Sequence, residues 1–173
     1  LGEIEQLEHS EGADLGLRVF KGRRQAIVSS SDTSLSALNE LVSRAIAMVG
    51  SVPEDPFCGI ADTDQVASNL PETLDIIDPA EPSTDALKMR AVETEESARS
   101  VSGITNSEGA EASWGRSSVF LATSNGFQGM REATQSSLSV SVLAGKGTAM
   151  ERDYEYASAV YSDDLPTPVE LGN

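Results

Sequence analysis

The sequence predicts an α+β protein built on curved antiparallel sheet with two main helices, in the order β-β-β-α, connector, α-β-β-β-β. Three observations carry this reading. Apolar residues alternate with period two toward both ends of the chain, two internal segments show helical spacing, and residues 51–82 between them hold five of the seven prolines. With 173 residues, 39% hydrophobic and 5% aromatic, the chain can fill one core of ordinary size or two small, interlocked halves.

Residues 3–9 read as a first strand, and residues 15–30 as two more. Leu15, Leu17 and Val19 alternate with Gly16, Arg18 and Phe20, and Ala26 and Val28 resume the pattern. Lys21-Gly22-Arg23 is the turn between them, because glycine takes the positive φ that a tight hairpin needs. Ser34 offers an N-cap for a helix whose stripe is Leu35, Leu38, Leu41, Val42, Ala45, Ile46 and Val49. We expect that stripe to be core; Gly50 ends the helix and Pro53 cannot continue it. The connector 51–82 has room for one short helix. A second helix over 83–100 carries Leu87, Ala91, Thr94, Ala98 and Val101 on one face, with Glu93, Glu95, Glu96 and Arg99 on solvated faces. Strands follow from Gly103. Val119, Leu121 and Thr123 alternate, as do Leu138, Val140 and Val142, with Asn125-Gly126 as a hairpin signal between them. Gly145-Lys146-Gly147 is the next turn, and 151–160 the last strand. Trp114 is expected to be substantially buried.

Composition narrows the function. The net charge is −16, from 28 acidic and 12 basic residues, so the chain lacks the cationic surplus that a phosphate-backbone binder brings; direct nucleic-acid binding is not expected. Half of the acids lie in residues 54–111 against three basic residues, Lys88, Arg90 and Arg99. No run of about 18 apolar residues is present to span a bilayer. Leu1-Gly2-Glu3-Ile4 lacks the basic-then-apolar order of a signal peptide. With one cysteine, a reducing cytoplasm is the expected location. The start on Leu rather than Met leads us to expect residues upstream.

Catalytic groups are scarce. His9 and Cys58 are the single histidine and cysteine, far apart in sequence. His9 sits in a polar turn and reads as a solvated side chain, and Cys58 reads as a small buried filler. No catalytic set and no metal set is therefore expected. Gly145-Lys146-Gly147-Thr148 lacks the Ser or Thr directly after Lys that a phosphate loop requires, and is a turn. Arg18, Lys21, Arg23 and Arg24 read as solubilising charges on a strand edge.

Several strings, in order along the chain, resemble a known family. They are Asp14-Leu15-Gly16-Leu17-Arg18-Val19-Phe20, Gln25-Ala26, Ser29-Ser30-Ser31-Asp32, Ala45-Ile46-Ala47-Met48 and Pro53-Glu54-Asp55-Pro56-Phe57-Cys58-Gly59. The resemblance is strongest in Gly103-Ile104-Thr105-Asn106-Ser107-Glu108-Gly109-Ala110, Ser124-Asn125-Gly126-Phe127 and Met150-Glu151-Arg152-Asp153-Tyr154. Together they resemble the amino-terminal domain of PmbA/TldE proteins in the TldD/PmbA metallopeptidase family, which also carries the name of candidate modulator of DNA gyrase. The resemblance implies a cytoplasmic subunit of a TldD/TldE zinc peptidase that degrades or matures peptides, microcins among them. In that pair the TldD-like subunit holds the zinc in a His-Glu-x-x-x-His motif, and the TldE-like subunit lacks it. His9 here is followed by Ser10, so no cofactor is expected in this chain, and zinc only in the partner. The expected partners are a TldD-like subunit in a heterodimer and a peptide substrate. An amino-terminal domain over 1–162 is implied, with halves 1–50 and 83–162 and a tail, 163–173, toward a carboxy-terminal domain.

Asn106, Glu108, Met150, Arg152 and Asp153 are singled out as interface or substrate-channel candidates. Apart from Met150 they are polar residues in or beside strands, with identities specific beyond what alternation requires. The Ser-rich run Ser136–Ser141 is a candidate for binding an extended peptide by strand addition. The alternative function is an acidic adaptor that binds a basic protein, as a modulator of DNA gyrase would.

Overall fold

The structure, a computed structural model, describes residues 4–67 and 74–173, which fall into two compact units, one of residues 7–67 and one of residues 4–6 with 74–173. The α+β class and its antiparallel sheets are as expected, and the order of elements is β-β-α followed by α-β-β-β-α.

In the first unit β1 (Leu15–Lys21) and β2 (Arg24–Ser30) form a hairpin in register Leu15↔Ser30 through Lys21↔Arg24. Gly22 takes φ 59° in the turn. Helix α1 (Leu35–Ser51) begins at Ser34, whose hydroxyl accepts the Ala37 amide at 3.3 Å, and ends at Val52 before Pro53. Leu41 and Ala45 pack with Val28, Leu17 and Val19. Two expectations fail here. The strand over 3–9 does not form: residues 4–9 are exposed coil, and residue 3 lies outside the described residues. Its apolar residues, Ile4 and Leu7, are three apart and cannot share a strand face. The α1 stripe is core only along Leu41, Ala45 and Val49, while Leu35, Val42 and Ile46 are exposed. The described parts of the connector, 52–67 and 74–83, contain no helix.

In the second unit α2 (Thr84–Ser100) is capped by Ser83, which accepts the Ala86 amide at 3.2 Å. A sheet follows in the order β3-β4-β5, from β3 (Ile104–Ala122), β4 (Gln128–Ala144) and β5 (Glu151–Ala159). The expected four strands are three, because no turn interrupts the chain between Trp114 and Val119 and β3 runs straight through Gly115. Gly126, at φ 95°, closes the β3–β4 hairpin. Alternate residues of β4, Leu138, Val140 and Val142, join Ala98 of α2 and Leu171 in the core. Leu87 is half-buried. Residues 163–173 include a short helix, α3 (Pro168–Gly172), opened by a reciprocal Thr167–Glu170 cap. Leu171 on it is buried, and Gly172 lies so close to α2 that a Cβ there would meet the Thr94 carbonyl oxygen at 2.8 Å.

Candidate functional site

The singled-out residues lie at the end of the sheet where β3 starts. The β3–β4 register shifts twice, between Ile104 and Asn106 and between Ser107 and Gly109, so Glu108 has no direct partner across the ladder. Gly109 takes φ 110°, which favours glycine, and its amide is held by the Ser107 hydroxyl at 2.9 Å. This bulge aims the Glu108 side chain across β4. Ser141, paired with Gly109 on one side and Tyr154 on the other, donates to Glu108 Oε2 at 2.6 Å. Arg152 on β5 donates through Nε to the same Glu108 oxygen and to Ser141 Oγ, the latter at 3.1 Å. The Arg152 guanidinium also stands 6.0 Å from the Tyr154 ring centroid. Three strands are thus fastened on one face. The Ser141 hydroxyl and then Arg152 hold the Glu108 carboxyl below its usual value.

Of the five candidates, the structure joins Glu108 and Arg152. Asn106 is exposed opposite Leu143. Met150 is exposed in the turn before β5. Asp153 lies on the opposite face from Arg152, as strand alternation requires, and its carboxylate accepts the Tyr154 amide at 2.9 Å. Sequence reasoning missed Ser141 as a member of the cluster. Its place in the Ser139-x-Ser141 alternation marks its face, but only the strand register reveals its neighbours.

It also missed a second polar cluster. Asp78 is buried; its carboxylate accepts the Ser162 and Ala80 amides, each at 2.8 Å, and its own amide donates to Thr134 Oγ1 at 2.7 Å. Those two amides, Ser162 first, hold the Asp78 carboxyl below its usual value. Thr134 in turn donates to Val160 O at 3.3 Å, and its amide reaches Ile76 O at 3.0 Å. Residues 76–80 are thereby tied to β4 and to the end of β5. The dipeptide Asp78-Pro79 is a turn signal, but nothing in it names Thr134 as the partner.

The Ser136–Ser141 run cannot accept an added strand. It lies on the central strand, with β3 on one side and β5 on the other. An open depression of about 750 Å³ nearby is lined by Ser113, Arg116, Arg131, Gln135, Ser137 and Ser158, among others. It offers hydroxyls, an amide and guanidiniums, groups that can hold a peptide's polar atoms. His9 is exposed, 3.3 Å from Glu11, and Cys58 is half-buried. Among the described residues, no three His, Cys, Asp or Glu side chains are grouped as a metal centre would need, and no helix is long and apolar enough to cross a membrane.

A hairpin on a capped helix, followed by a helix-backed antiparallel sheet with a bulge-centred polar lock, defines the α+β class of this protein. Residues 1–49 match the model of PmbA/TldA metallopeptidase domain 1, and residues 77–173 that of the PmbA/TldA metallopeptidase central domain. The chain belongs to the PmbA/TldA metallopeptidase family. It is 32% identical over 172 residues to the metalloprotease PmbA of Escherichia coli O157:H7, covering 99% of this chain and 38% of that protein. A PmbA homologue of Haemophilus influenzae is 31% identical over 173 residues, with 99% and 38% covered. The chain therefore spans well under half the length of the curated relatives it matches. Among solved structures, a candidate modulator of DNA gyrase from Bacteroides thetaiotaomicron shares the fold at TM-score 0.78 and 22% identity, covering 96% of this chain and 39% of that one. TldE from Thermococcus kodakarensis does so at TM-score 0.61 and 17% identity, covering 99% and 38%.

Proposed function

We propose that this chain is the non-catalytic amino-terminal part of a TldE/PmbA-like subunit, acting in a cytoplasmic TldD/TldE zinc peptidase that degrades or matures peptides of the microcin kind. In this reading zinc belongs to a TldD-like partner in a heterodimer, and this chain supplies architecture and a path for the peptide. The observation that carries it is the use made of Glu108. Its Oε2 accepts both Ser141 and Arg152 and ties three strands together, a use that fits a scaffold. The relationship to PmbA proteins over nearly the whole chain supports the same reading. Asn106, Met150, Asp153 and the outer side of Arg152 are then interface or channel residues.

The test is mass spectrometry of complexes captured with the full-length protein, followed by peptide cleavage with and without the captured partner. The expected result is a zinc-bearing partner, with cleavage only by the pair. Cleavage by this subunit alone, undiminished by His9→Ala, overturns the reading. The surplus of acids is equally compatible with a second reading, an acidic adaptor that binds a basic protein, as a modulator of DNA gyrase would. Salt-sensitive capture of such a protein, without a zinc-bearing partner, would establish that instead.

A further inference from the structure

The three-stranded sheet has one covered face and one open face. Leu138, Val140 and Val142 of β4 join the core with Ala98 of α2, so alternation turns Gln135 and Ser137 to the other side. Their partners on β3, Gly115 and Ser113, and Ser158 on β5 share that side. Ser117 and its partner Ala133 follow, and Arg131 comes one step nearer the hairpin turn. All of these line the open depression of about 750 Å³. Within it the Ser113 and Ser137 hydroxyls are bonded to each other at 2.7 Å.

Charge sets this depression apart from the rest of the chain. The sequence has 28 acids to 12 bases, yet no Asp or Glu lines the depression and two arginines do. Arg116 is already committed to Glu132, at 3.1 Å. Arg131 is exposed, and among the described residues its guanidinium has neither an ion pair nor a hydrogen bond. On the open face the first acid met along the strands from Arg131 is Glu111, opposite Ser139 and beyond the Ser113–Ser137 pair.

A guanidinium presents a planar fork of donors that matches a carboxylate. Beside it here are hydroxyls and the Gln135 amide, groups that serve the backbone of an extended chain. Permanent contact with the remaining length of a longer protein has a better surface elsewhere, because lasting interfaces are the more apolar ones. Val119, Phe120, Leu121 and Met130 are all more than half exposed and lie past the depression, toward the turn. A polar lining with one uncommitted charge suits a ligand that comes and goes. We propose that the depression binds an acidic peptide, with a side-chain carboxylate of that peptide on Arg131. This rests on the peptidase reading and adds to it the class of peptide that the path admits.

Trp114 is the single tryptophan of the chain and lines the depression, so its fluorescence reports on the site. A short peptide rich in Asp and Glu, amidated at its C-terminus, should shift that emission and give saturable heat in calorimetry. The matching Asn/Gln peptide and a Lys-rich one should bind about tenfold more weakly or worse, the worth of one charged hydrogen bond. Arg131→Gln should weaken the acidic peptide by the same factor, and Arg131→Lys by less. Ser117→Glu sets a carboxylate beside Arg131 and should act as Arg131→Gln does. Arg18→Gln, which removes an exposed arginine of the first hairpin, should change nothing. Equal binding of the Asn/Gln peptide, no binding of the acidic one, or undiminished binding by Arg131→Gln overturns the proposal. So does loss of binding in the full-length protein, where other parts of the chain would then fill the depression. Cleavage by the reconstituted pair without this binding overturns the proposal and leaves the peptidase reading intact. Binding that follows Arg131, in a protein that captures no zinc-bearing partner, upholds the site and removes the peptidase reading.

Discussion

Glu108 and Arg152, on the outer strands β3 and β5, meet across the central strand over Ser141. The contact exists because the bulge at Ser107–Gly109 leaves Glu108 out of the ladder, and because β5 returns to place Arg152 on the same face. Both side chains are partly exposed, so the pair adds little to stability by itself. In the interface role proposed above, the pair would fix where the guanidinium points for a bidentate contact with a partner's carboxylate. Arg152→Ala should keep the circular dichroism and melting of the parent while weakening complex formation, or peptide cleavage, by the reconstituted pair. Unfolding of the variant, or cleavage at the parent rate, removes the interface role.

Stability should fall at the acid end. Asp32, Asp78, Glu108 and Glu170 all have carboxyls held below their usual values, mainly by backbone amides or by hydroxyls. A depressed carboxyl contributes stability that is present above the unfolded values, 3.8 for Asp and 4.5 for Glu, and is lost as pH falls through the folded ones. Tyr161 has the opposite sign: its bond to Asp75 raises it above 10.0, so its contribution is lost as alkaline pH rises through the folded value. Melting from neutral pH downward should decline below about pH 4.5, with a shallower acid slope in Asp78→Asn. An acid slope equal to the parent's would show that Asp78 is not among the titrating groups.

The parts of the fold legible in the sequence are those set by neighbours in the chain. Leu15, Leu17 and Val19 with Gly22 specify the first hairpin, and Ser34 with Pro53 bounds α1. Asn125-Gly126 marks the long hairpin, though not that β3 enters it as one strand. Glu108 and Arg152 were recognisable as unusual residues, but their meeting depends on a register shift that no local pattern encodes. The Asp78–Thr134 bond joins residues 56 apart, and its cause is the packing of the whole unit. The exposure of Leu35, Val42 and Ile46 likewise depends on how narrow a hairpin α1 covers, which helical spacing alone does not say.

Trp114 and Ser136 are direct partners on adjacent strands, and the Trp114 Nε1 and Ser136 Oγ atoms are enclosed without a hydrogen-bond partner. Trp114→Ala removes a large apolar surface and should cost about 3 kcal/mol. Trp114→Phe keeps most of that surface and deletes an unsatisfied donor, so it should melt at or above the parent. A Phe variant as unstable as the Ala variant would mean that the indole nitrogen is satisfied after all.

Gly172 touches α2 backbone to backbone. A Cβ there would lie 2.7 Å from the Ser97 Cβ and 2.8 Å from the Ala98 nitrogen, atoms that cannot swing aside. Gly172→Ala should therefore push α3 away and draw Leu171 out of the core, costing about 1–3 kcal/mol by overpacking. Leu171→Ala should cost about 2–5 kcal/mol. Thermal melting of both variants measures this, and a Gly172→Ala protein as stable as the parent would show that residues 163–173 are not held as described.

The last prediction concerns metal. Zinc peptidase chemistry requires three protein ligands and a polarised water, with a carboxylate base within reach. In this chain His9 is solvent-exposed beside Glu11, and Cys58 is a half-buried thiol in a proline-rich turn. Neither has a third ligand grouped with it among the described residues. A solvated histidine with one carboxylate binds zinc only weakly, and dialysis against a mild chelator should strip it. Elemental analysis of the dialysed chain should find zinc far below one ion per chain, and His9→Ala should leave that figure unchanged. One tightly held zinc per chain, lost in His9→Ala or Cys58→Ser, would move the metal from the partner to this subunit and would sink the non-catalytic reading.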